Sequence, residues 1–234
     1  MGRLNHLQET LPKNLYGNQG FEGLEFVLLD YSSRDGLAGW IKARFMPEIK
    51  SGLLVYYRAE GYQRFFMAHA KNVAHRLARG EIVCNVDADN LTGWGFAAHL
   101  WKLLGEIGPG TFACSEGKRG TSGRIAVWRR DFETLGGYDE SMNQGWGFED
   151  KDLLQRARLA GLRGHRIGNE FLDALPHSDS LRVRHGSEKD RWSSNGIHRE
   201  IAQRNAAQEC TVANRGRPWG VATVKRNFST VLAT

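Results

Sequence analysis

The sequence has few cysteines and no long apolar run, and both absences exclude classes of protein. Its three cysteines, Cys84, Cys114 and Cys210, are widely spaced and odd in number, so they provide neither a disulfide framework nor a Cys-X-X-Cys zinc site. No stretch of about twenty apolar residues could span a membrane, and the first residues lack the apolar segment of a signal peptide. We therefore expect a cytoplasmic protein with at most peripheral membrane contact.

Low-complexity tracts and internal repeats are also absent, so the chain belongs to the globular class. With 234 residues and 41% hydrophobic content, it can bury a full core as one large domain or two small ones. The net charge of +6 suits an anionic partner such as a nucleotide diphosphate, although an ordinary solvated surface has the same charge. The basic residues of the last third form neither a block nor a helical stripe, so we expect no nucleic-acid partner.

Strand and helix signals alternate along the first half. Apolar residues at helical spacing predict a helix from Leu4 to Leu15 that ends near Gly17. Two further helical faces, at 70–77 and 95–105, alternate with short apolar runs that predict strands buried on both faces. These runs are residues 25–30, 53–57 and 82–86. The alternation predicts an α/β fold whose mostly parallel sheet carries helices on both faces.

The sequence pattern changes after Ser115. A glycine-rich loop precedes a predicted strand at 125–128, and a second glycine-rich segment follows at 135–138. We interpret this region as a second half of the same domain and not as a separate domain. Residues 1–115 and 116–234 are therefore taken as the two halves.

Acidic side chains follow two of the predicted strands. Asp30 ends the first strand, and Asp87 and Asp89 follow the third. Ligands of open α/β sheets bind at the carboxyl ends of strands, and an extended backbone would point Asp87 and Asp89 the same way. Two such carboxylates suit Mg²⁺ or Mn²⁺ bound to phosphate oxygens. An ordinary polar strand end with an Asx turn is the alternative.

A second group of acids lies in the glycine-rich segment 145–152, which runs into a predicted helix. Carboxylates such as Glu149 and Asp150 are common at a helix N-terminus, where they complement the macrodipole. That explanation does not cover Trp146, which stands between two glycines. An aromatic ring beside carboxylates is suited to a sugar, because the ring covers its C–H face and the acids accept its hydroxyl protons.

A histidine at position 177 is the third candidate. A lone histidine is more often an ordinary surface or core residue, but a metal held by two aspartates needs further donors, and Mn²⁺ accepts imidazole. His185 is a weaker candidate for the same role.

Taken in this order, Asp87-Ala88-Asp89, Trp146-Gly147-Phe148-Glu149-Asp150 and His177-Ser178-Asp179 resemble the motifs of GT-A glycosyltransferases. The first half is similar to the inverting family-two enzymes, in the acidic turn at 28–36 and in the positions 71–72 and 79–81. The stretch 123–150 resembles the C-terminal segment of galactosyltransferases.

The resemblance implies a Rossmann-like GT-A fold and a metal-dependent, inverting, hexosyltransferase-like enzyme. Its donor would be a nucleotide-diphosphate sugar, with a UDP-sugar favoured, its acceptor a carbohydrate hydroxyl, and its cofactor Mn²⁺ or Mg²⁺. Trp146 would pack on the acceptor, Glu149 and Asp150 would bind and deprotonate its hydroxyl, and His177 would join Asp87 and Asp89 on the metal. The other positions that the resemblance assigns to substrate binding are Asp30, Tyr31, Lys71, Asn72, Arg124 and, with the metal, Asp87.

The sequence departs from the family in two places. Relatives open with a strand ahead of the first helix, and no such strand precedes Leu4 here, so we expect a sheet that lacks the usual first strand. Tyr31 also stands where many relatives carry a second aspartate facing the base. Two other functions stay open: a nucleotidyltransferase of related fold, and a non-catalytic protein that binds carbohydrate or nucleotide-sugar.

Overall fold

The structure is a computed structural model that describes residues 1–116, 120–144, 147–176, 178, 185 and 191–234, with only the backbone for 191–194. The helices are α1 Leu4–Asn18, α2 Leu37–Arg44, α3 Met46–Ser51, α4 Met67–Leu77, α5 Phe96–Leu100, α6 Arg129–Thr134, α7 Glu149–Leu159 and α8 Arg191–Ala207. A π-helical turn, Trp101–Gly105, continues α5, and 3₁₀ turns lie at Glu140–Asn143 and Asn169–Phe171. The strands are β1 Phe26–Tyr31, β2 Leu54–Ala59, β3 Ile82–Cys84, β4 Asn90–Leu91, β5 Thr111–Cys114, β6 Ile125–Trp128, β7 Arg163–Arg166, β8 Asp173–Ala174, β9 Thr223–Arg226 and β10 Thr230–Ala233.

Several of the local patterns are confirmed as helices and strands. The helix predicted from leucine spacing is α1, and the strand predicted at 125–128 is β6 with the same bounds. The third predicted strand is shorter than expected, because β3 ends at Cys84 and a turn follows.

The sheets are mixed, so the prediction of a mostly parallel sheet is wrong. One sheet has the order β1-β2-β9-β10 and the other β3-β6-β5-β7, while β4 and β8 form a two-stranded ribbon. Only β1 with β2 and β5 with β7 pair in parallel among the described strands. The reason is local: β6 returns beside β3 and β5 in the opposite direction, and the C-terminal strands β9 and β10 form an antiparallel pair against β2.

Helices cover both faces of the sheets, as predicted. On one face, α4 packs through Ala70 and Val73 on the first sheet, and α7 packs through Leu153 on the second. The opposite face is covered by α1, through residues such as Leu11, and by α5, through Leu100. No helix in the described part of the chain combines the length and the apolar character that a membrane span requires.

The two halves share their sheets. Strand β9 comes from the second half and pairs with β2 of the first, whereas β3 of the first half pairs with β6 of the second. By the resemblance, residues 1–115 would bind the nucleotide-sugar and residues 116–234 would bind the acceptor and carry out catalysis; both assignments stay predictions.

Strand β1 is less buried than its sequence predicts. All of β2 except Arg58 is buried, but the apolar residues 26–29 of β1 are only half-buried. The reason is that β1 lies at the end of its sheet among the described strands, and its outer edge faces a cleft.

Candidate active site

A buried aspartate, Asp30, is held by hydrogen bonds at the carboxyl ends of β1 and β2. Asp30 is buried; its Oδ1 accepts the backbone N–H of Ser33 at 2.8 Å, and its Oδ2 accepts Tyr56 Oη at 2.6 Å and Arg58 Nη1 at 2.9 Å. Burial and the Asp30 charge raise the pKa of the Tyr56 phenol, which keeps it a donor. Asp30 therefore holds the loop after β1 in place.

Tyr31, next to Asp30, lies in an aromatic cluster. Its ring stacks on Tyr62 at 4.2 Å between centroids, and its hydroxyl is 2.9 Å from Nδ1 of His69. The Tyr31 side chain is buried. In this structure a nucleotide base could therefore contact only the residues around Tyr31.

The backbone after β3 turns instead of running extended. The N–H of Asn90 donates to the carbonyl of Asp87 at 2.9 Å, which closes a turn over Ala88 and Asp89. Asn90 then begins β4, which pairs with β8. The expected extended backbone through Asp87 and Asp89 is therefore wrong: the turn is favoured because it leads the chain into this ribbon.

The two aspartates carry oxygens suited to a divalent ion. Asp87 Oδ1 accepts Asn85 Nδ2 at 3.0 Å, and in the described part of the chain no hydrogen bond reaches its Oδ2. Asp89 Oδ1 accepts Asn90 Nδ2 at 3.3 Å. Both residues are half-buried, and hard oxygen donors of this kind fit Mn²⁺ or Mg²⁺.

A third ligand for the metal is not placed by the structure. The described residues contain no cluster of three or more His, Cys, Asp or Glu side chains that could hold an ion. His177 lies outside the described residues, as does Trp146, so their assignments stay predictions. His185 is described. Its ring lies against Gly2, near the N-terminus of α1, and the backbone carbonyl of His185 accepts the N–H of Phe65 at 2.7 Å.

Arg124 supports the site from a buried position. It is fully buried, and its guanidinium donates to the carbonyl of Phe171 at 2.9 Å and to Asn90 Oδ1 at 3.0 Å. Burial lowers the pKa of Arg124, while the negative charges of Asp87 and Asp89 act to raise it. The side chain has no exposed surface to offer a substrate, so its contribution is to hold the Asp87–Asn90 turn and offset part of its negative charge.

Gly123 is the point where the two acidic motifs meet. A Cβ atom at this position would lie 2.9 Å from Asp87 Oδ2 and 3.2 Å from Asp150 Oδ2. The absence of a side chain therefore lets the two carboxylates approach one backbone position from different loops. Sequence spacing did not predict this proximity, since the two acids belong to separate motifs.

Lys71 links α4 to the start of α7. Its Nζ donates to Glu149 Oε1 at 2.8 Å and to Asp150 Oδ1 at 2.6 Å, and it lies 5.0 Å from the ring centroid of Tyr138. Burial lowers the pKa of Lys71, but the two carboxylates raise it well above its usual value. Its charge is therefore already engaged by protein groups, which makes it a positioning residue. Its neighbour Asn72 is likewise buried and binds the backbone of Tyr138.

Asp150 and Glu149 differ in exposure. The side chain of Glu149 is 3% exposed and that of Asp150 is 19% exposed. Burial, and then the like charge of Glu149, raise the pKa of Asp150 to about 7, against the opposing effect of Lys71. A carboxylate that is accessible and titrates near neutrality has the properties of a general base.

The backbone that presents these acids is unusual. Phe148, immediately before α7, has φ of 68°, and Gly147 has φ of 93°; a bulky residue in the left-handed region is strained and occurs mostly at functional sites. His198 of α8 lies against this loop, with Nδ1 2.7 Å from the carbonyl oxygen of Gly147 and Nε2 3.0 Å from that of Gln144. The sequence offered no signal for His198, because it lies in a helix far along the chain.

A buried polar network fixes α7 two turns after Asp150. Arg156 Nε donates to Asp152 Oδ2 at 2.7 Å, and its two terminal nitrogens donate to the carbonyls of Leu135 and Gly137, each at 2.7 Å. Asp152 Oδ1 also accepts Asn205 Nδ2 of α8 at 2.9 Å. These bonds join α7, α8 and the glycine-rich segment, and so position the acids at the helix start.

One family model matches part of the chain. Residues 114–178 match the family model described as the N-terminal domain of galactosyltransferase. This range contains Gly123, Glu149 and Asp150. A search of curated proteins finds no significant match.

Solved structures show the fold. A mannosyltransferase from Pyrobaculum calidifontis, PcManGT, in complex with GDP-Man and Mn²⁺, matches with a TM-score of 0.59 at 20% identity over 88% of this chain and 70% of that one. TarS 1–349 from S. aureus matches with the same TM-score of 0.59 at 15% identity, over 88% of this chain and 69% of that one. The chain therefore has the α/β fold of GT-A glycosyltransferases, and the resemblance predicted from its motifs is confirmed.

Proposed function

We propose that this chain is a metal-dependent, inverting glycosyltransferase that moves a sugar from a nucleotide diphosphate to an acceptor hydroxyl. The observation that carries the proposal is the meeting of Asp87 and Asp150 at Gly123. One carboxylate belongs to the turn suited to a metal and a diphosphate, and the other to the pair suited to an acceptor. The two are therefore close enough to act on the two ends of one transfer reaction.

Asp87 and Asp89 would hold the ion, with His177 as the further ligand. When bound, Mn²⁺ or Mg²⁺ supplies positive charge that stabilises the departing diphosphate. The structural neighbour in complex with GDP-Man and Mn²⁺ supports a nucleotide-sugar donor and this metal. Arg124 holds the turn from beneath and balances part of its charge.

Asp150 is the proposed base toward the acceptor. Its carboxylate would accept the hydroxyl proton as that oxygen attacks the anomeric carbon, and a single displacement of this kind inverts the anomeric centre. Lys71 keeps Asp150 and Glu149 together, and the partial exposure of Asp150 leaves an oxygen to receive the proton. Trp146 would cover a face of the acceptor sugar.

Product analysis tests the reaction type. The protein would be incubated with Mn²⁺, a panel of UDP- and GDP-sugars and a set of oligosaccharide acceptors. We expect nucleoside diphosphate and a glycoside whose anomeric configuration, read by NMR, is opposite to that of the donor. Pyrophosphate as the product would favour a nucleotidyltransferase, and retained configuration would contradict the single displacement.

Metal dependence is tested by binding as well as by turnover. We expect calorimetric binding of the nucleotide-sugar to weaken with EDTA and to recover with added Mn²⁺, and Asp89→Asn to lose that recovery. Glu133→Gln, an exposed acid on α6 at the other end of the second sheet, is the matched control. Donor binding that is indifferent to EDTA would contradict the metal assignment.

A further inference from the structure

A small cavity lies beside the candidate active site, at the carboxyl ends of the strands. It is bounded by the segment after β2, by the start of α4 and by the 3₁₀ turn Glu140–Asn143, and its volume is about 320 Å³. Ligand pockets in proteins span roughly 300 to 1,000 Å³, so this cavity has room for a small ligand. We call it the side pocket. The residues that line it include Tyr62, Phe66, His69, Glu140, Asn143 and Gln144.

The aromatic side of the pocket is fixed by contacts behind it. The ring of Tyr62 stacks on Tyr31 at 4.2 Å between centroids, and the N–H of Tyr62 donates to Ser32 Oγ at 3.0 Å. His69 Nε2 is 3.0 Å from the carbonyl oxygen of Val221, so in the neutral imidazole Nε2 is the donor and Nδ1 accepts the Tyr31 hydroxyl at 2.9 Å. Both ring nitrogens of His69 are therefore engaged, and this side presents ring surface to a ligand.

The 3₁₀ turn supplies the polar side of the pocket. Glu140 Oε1 accepts Asn72 Nδ2 at 3.0 Å and the N–H of Gly220 at 2.7 Å, whereas no hydrogen bond from the described residues reaches its Oε2. Asn143 Oδ1 accepts a backbone N–H at the start of α4 at 3.0 Å, which leaves its NH₂ group without a partner in the same part of the chain. The exposed amide of Gln144 adds a donor and an acceptor. Free donors and free acceptors are therefore both present.

These groups fit a neutral ligand that is rich in hydroxyls. A sugar residue has an apolar C–H face, which an aromatic ring covers, and hydroxyls that both donate and accept hydrogen bonds. An anionic ligand does not fit, because no lysine or arginine lies among the described residues that line the pocket and Glu140 is acidic. The side pocket is therefore suited to a sugar residue.

Both sides of the pocket lead to the acids of the candidate active site. On α4, His69 is two residues from Lys71, which places them about 3 Å apart along the helix axis. Lys71 in turn binds Asp150. On the other side, His198 contacts the carbonyl of Gln144 and, through its second ring nitrogen, the loop immediately before α7. The side pocket and the acids at the start of α7 are therefore held by the same elements.

We propose that the side pocket binds the sugar next to the reacting one, so that the acceptor is an oligosaccharide and not a single sugar. The reacting hydroxyl would lie at Asp150, and the glycan would extend toward Tyr62 and the 3₁₀ turn. A single sugar at Asp150 would lack these contacts and bind more weakly. The assignment to the acceptor rests on the proposed function, whereas sugar binding in the pocket does not.

Binding measured without donor or metal tests the pocket separately from catalysis. ¹⁵N-labelled protein would be titrated with cellobiose, xylobiose, mannobiose and chitobiose, and with the monosaccharide of each. We expect at least one disaccharide to shift the side-chain amide signals of Asn143 and Gln144. We also expect it to bind about tenfold more tightly than its monosaccharide, a gain of the size that one or two added hydrogen bonds provide.

Two variants remove polar groups of the pocket. Glu140→Gln keeps an oxygen to accept Asn72 and Gly220 and replaces the free oxygen by NH₂, so it should abolish the advantage of the disaccharide in a folded protein. Gln144→Ala should reduce that advantage. The matched control is Gln8→Ala, an exposed position of α1 on the opposite face of the sheets. In transfer assays, the ratio of kcat/KM for oligosaccharide and single-sugar acceptors should fall about tenfold in Glu140→Gln.

Three results would overturn the proposal: no shift at Asn143 or Gln144 with any sugar of the panel, equal affinity for disaccharide and monosaccharide, or an unchanged advantage of the disaccharide in Glu140→Gln. Shifts of the same signals by UDP or GDP alone would assign the pocket to the nucleotide base and overturn it as well. Disaccharide binding at these signals without any sugar transfer would instead contradict the proposed enzyme activity, and the pocket would still be a sugar site.

Discussion

Replacement of Arg156 by methionine should destabilise the protein severely. The side chain of Arg156 is 1% exposed, as is that of Asp152, and its guanidinium makes three hydrogen bonds of 2.7 Å. Removing one partner of such a buried pair costs about 3 to 5 kcal/mol, because the remaining charge is left uncompensated. In the variant, the Asp152 carboxylate would retain, among the described residues, only the bond from Asn205.

The matched control is Arg158→Met, two residues along the same helix. Arg158 is exposed, and its guanidinium lies 5.6 Å from the ring centroid of Phe112, a contact for which about 0.5 to 1 kcal/mol is expected. Equilibrium unfolding in urea should therefore separate the two variants by about 3 kcal/mol, which corresponds to roughly 10 °C in melting temperature for a protein of this size. Adding Asp152→Asn to Arg156→Met should recover part of the loss, because it removes the unpaired charge.

A difference below about 1 kcal/mol between the two single variants would refute the reasoning. It would mean that the network joining α7, α8 and the glycine-rich segment is replaced by solvent at little cost. Glu149 and Asp150 would then not be held in place by that network.

Two predictions concern pH. Burial lowers the pKa of His75, which is stacked on Phe132, to about 4. As the pH falls, the unfolded chain therefore binds the proton before the folded protein does. The stability that is present above about pH 6.5 is lost progressively down to about pH 4, by about 3 kcal/mol in all. Urea unfolding at pH 7 and pH 5 should show about 2 kcal/mol of this loss in the wild type and not in His75→Phe; an equal loss in both would exclude His75 as its source. Because Asp150 must be deprotonated to act as a base, the transfer rate should rise with pH around the Asp150 pKa of about 7. Lys71→Met should move that midpoint upward, since it removes the ammonium that lowers the pKa of Asp150. Lys71→Arg should move the midpoint less. An unchanged midpoint in Lys71→Met would show that Lys71 does not lower the pKa of Asp150.

Local signals were sufficient to predict several elements. The leucine spacing of α1 and the apolar run of β6 depend on residues adjacent in sequence, and the structure confirms both. The strand directions were predicted less well, because the pairing of β9 with β2 joins distant parts of the chain. A continuous apolar run is equally compatible with a parallel and an antiparallel neighbour.

In the candidate site, too, local features could be predicted from the sequence and long-range contacts could not. The acids at 87, 89, 149 and 150 could be recognised from local motifs, but the bond between Lys71 and Asp150 spans 79 positions and has no local pattern. The turn at Asp87 was mistaken for extended backbone because it depends on β4 pairing with the distant β8. Arg124 carries a charge that favours a surface position, and its bonds to Phe171, Asn90 and Leu91 account for its burial.

The central claim is that Asp150 is the base of a sugar transfer whose donor is held at Asp87 and Asp89. The most direct test compares Asp150→Asn with Asp131→Asn, an acid on α6 at the opposite end of the second sheet. Transfer to the acceptor and Mn²⁺-dependent binding of the nucleotide-sugar would both be measured in each variant. We predict that Asp150→Asn lowers transfer about 100-fold or more while donor binding is retained, and that Asp131→Asn changes neither. Wild-type transfer by a folded Asp150→Asn protein would contradict the account.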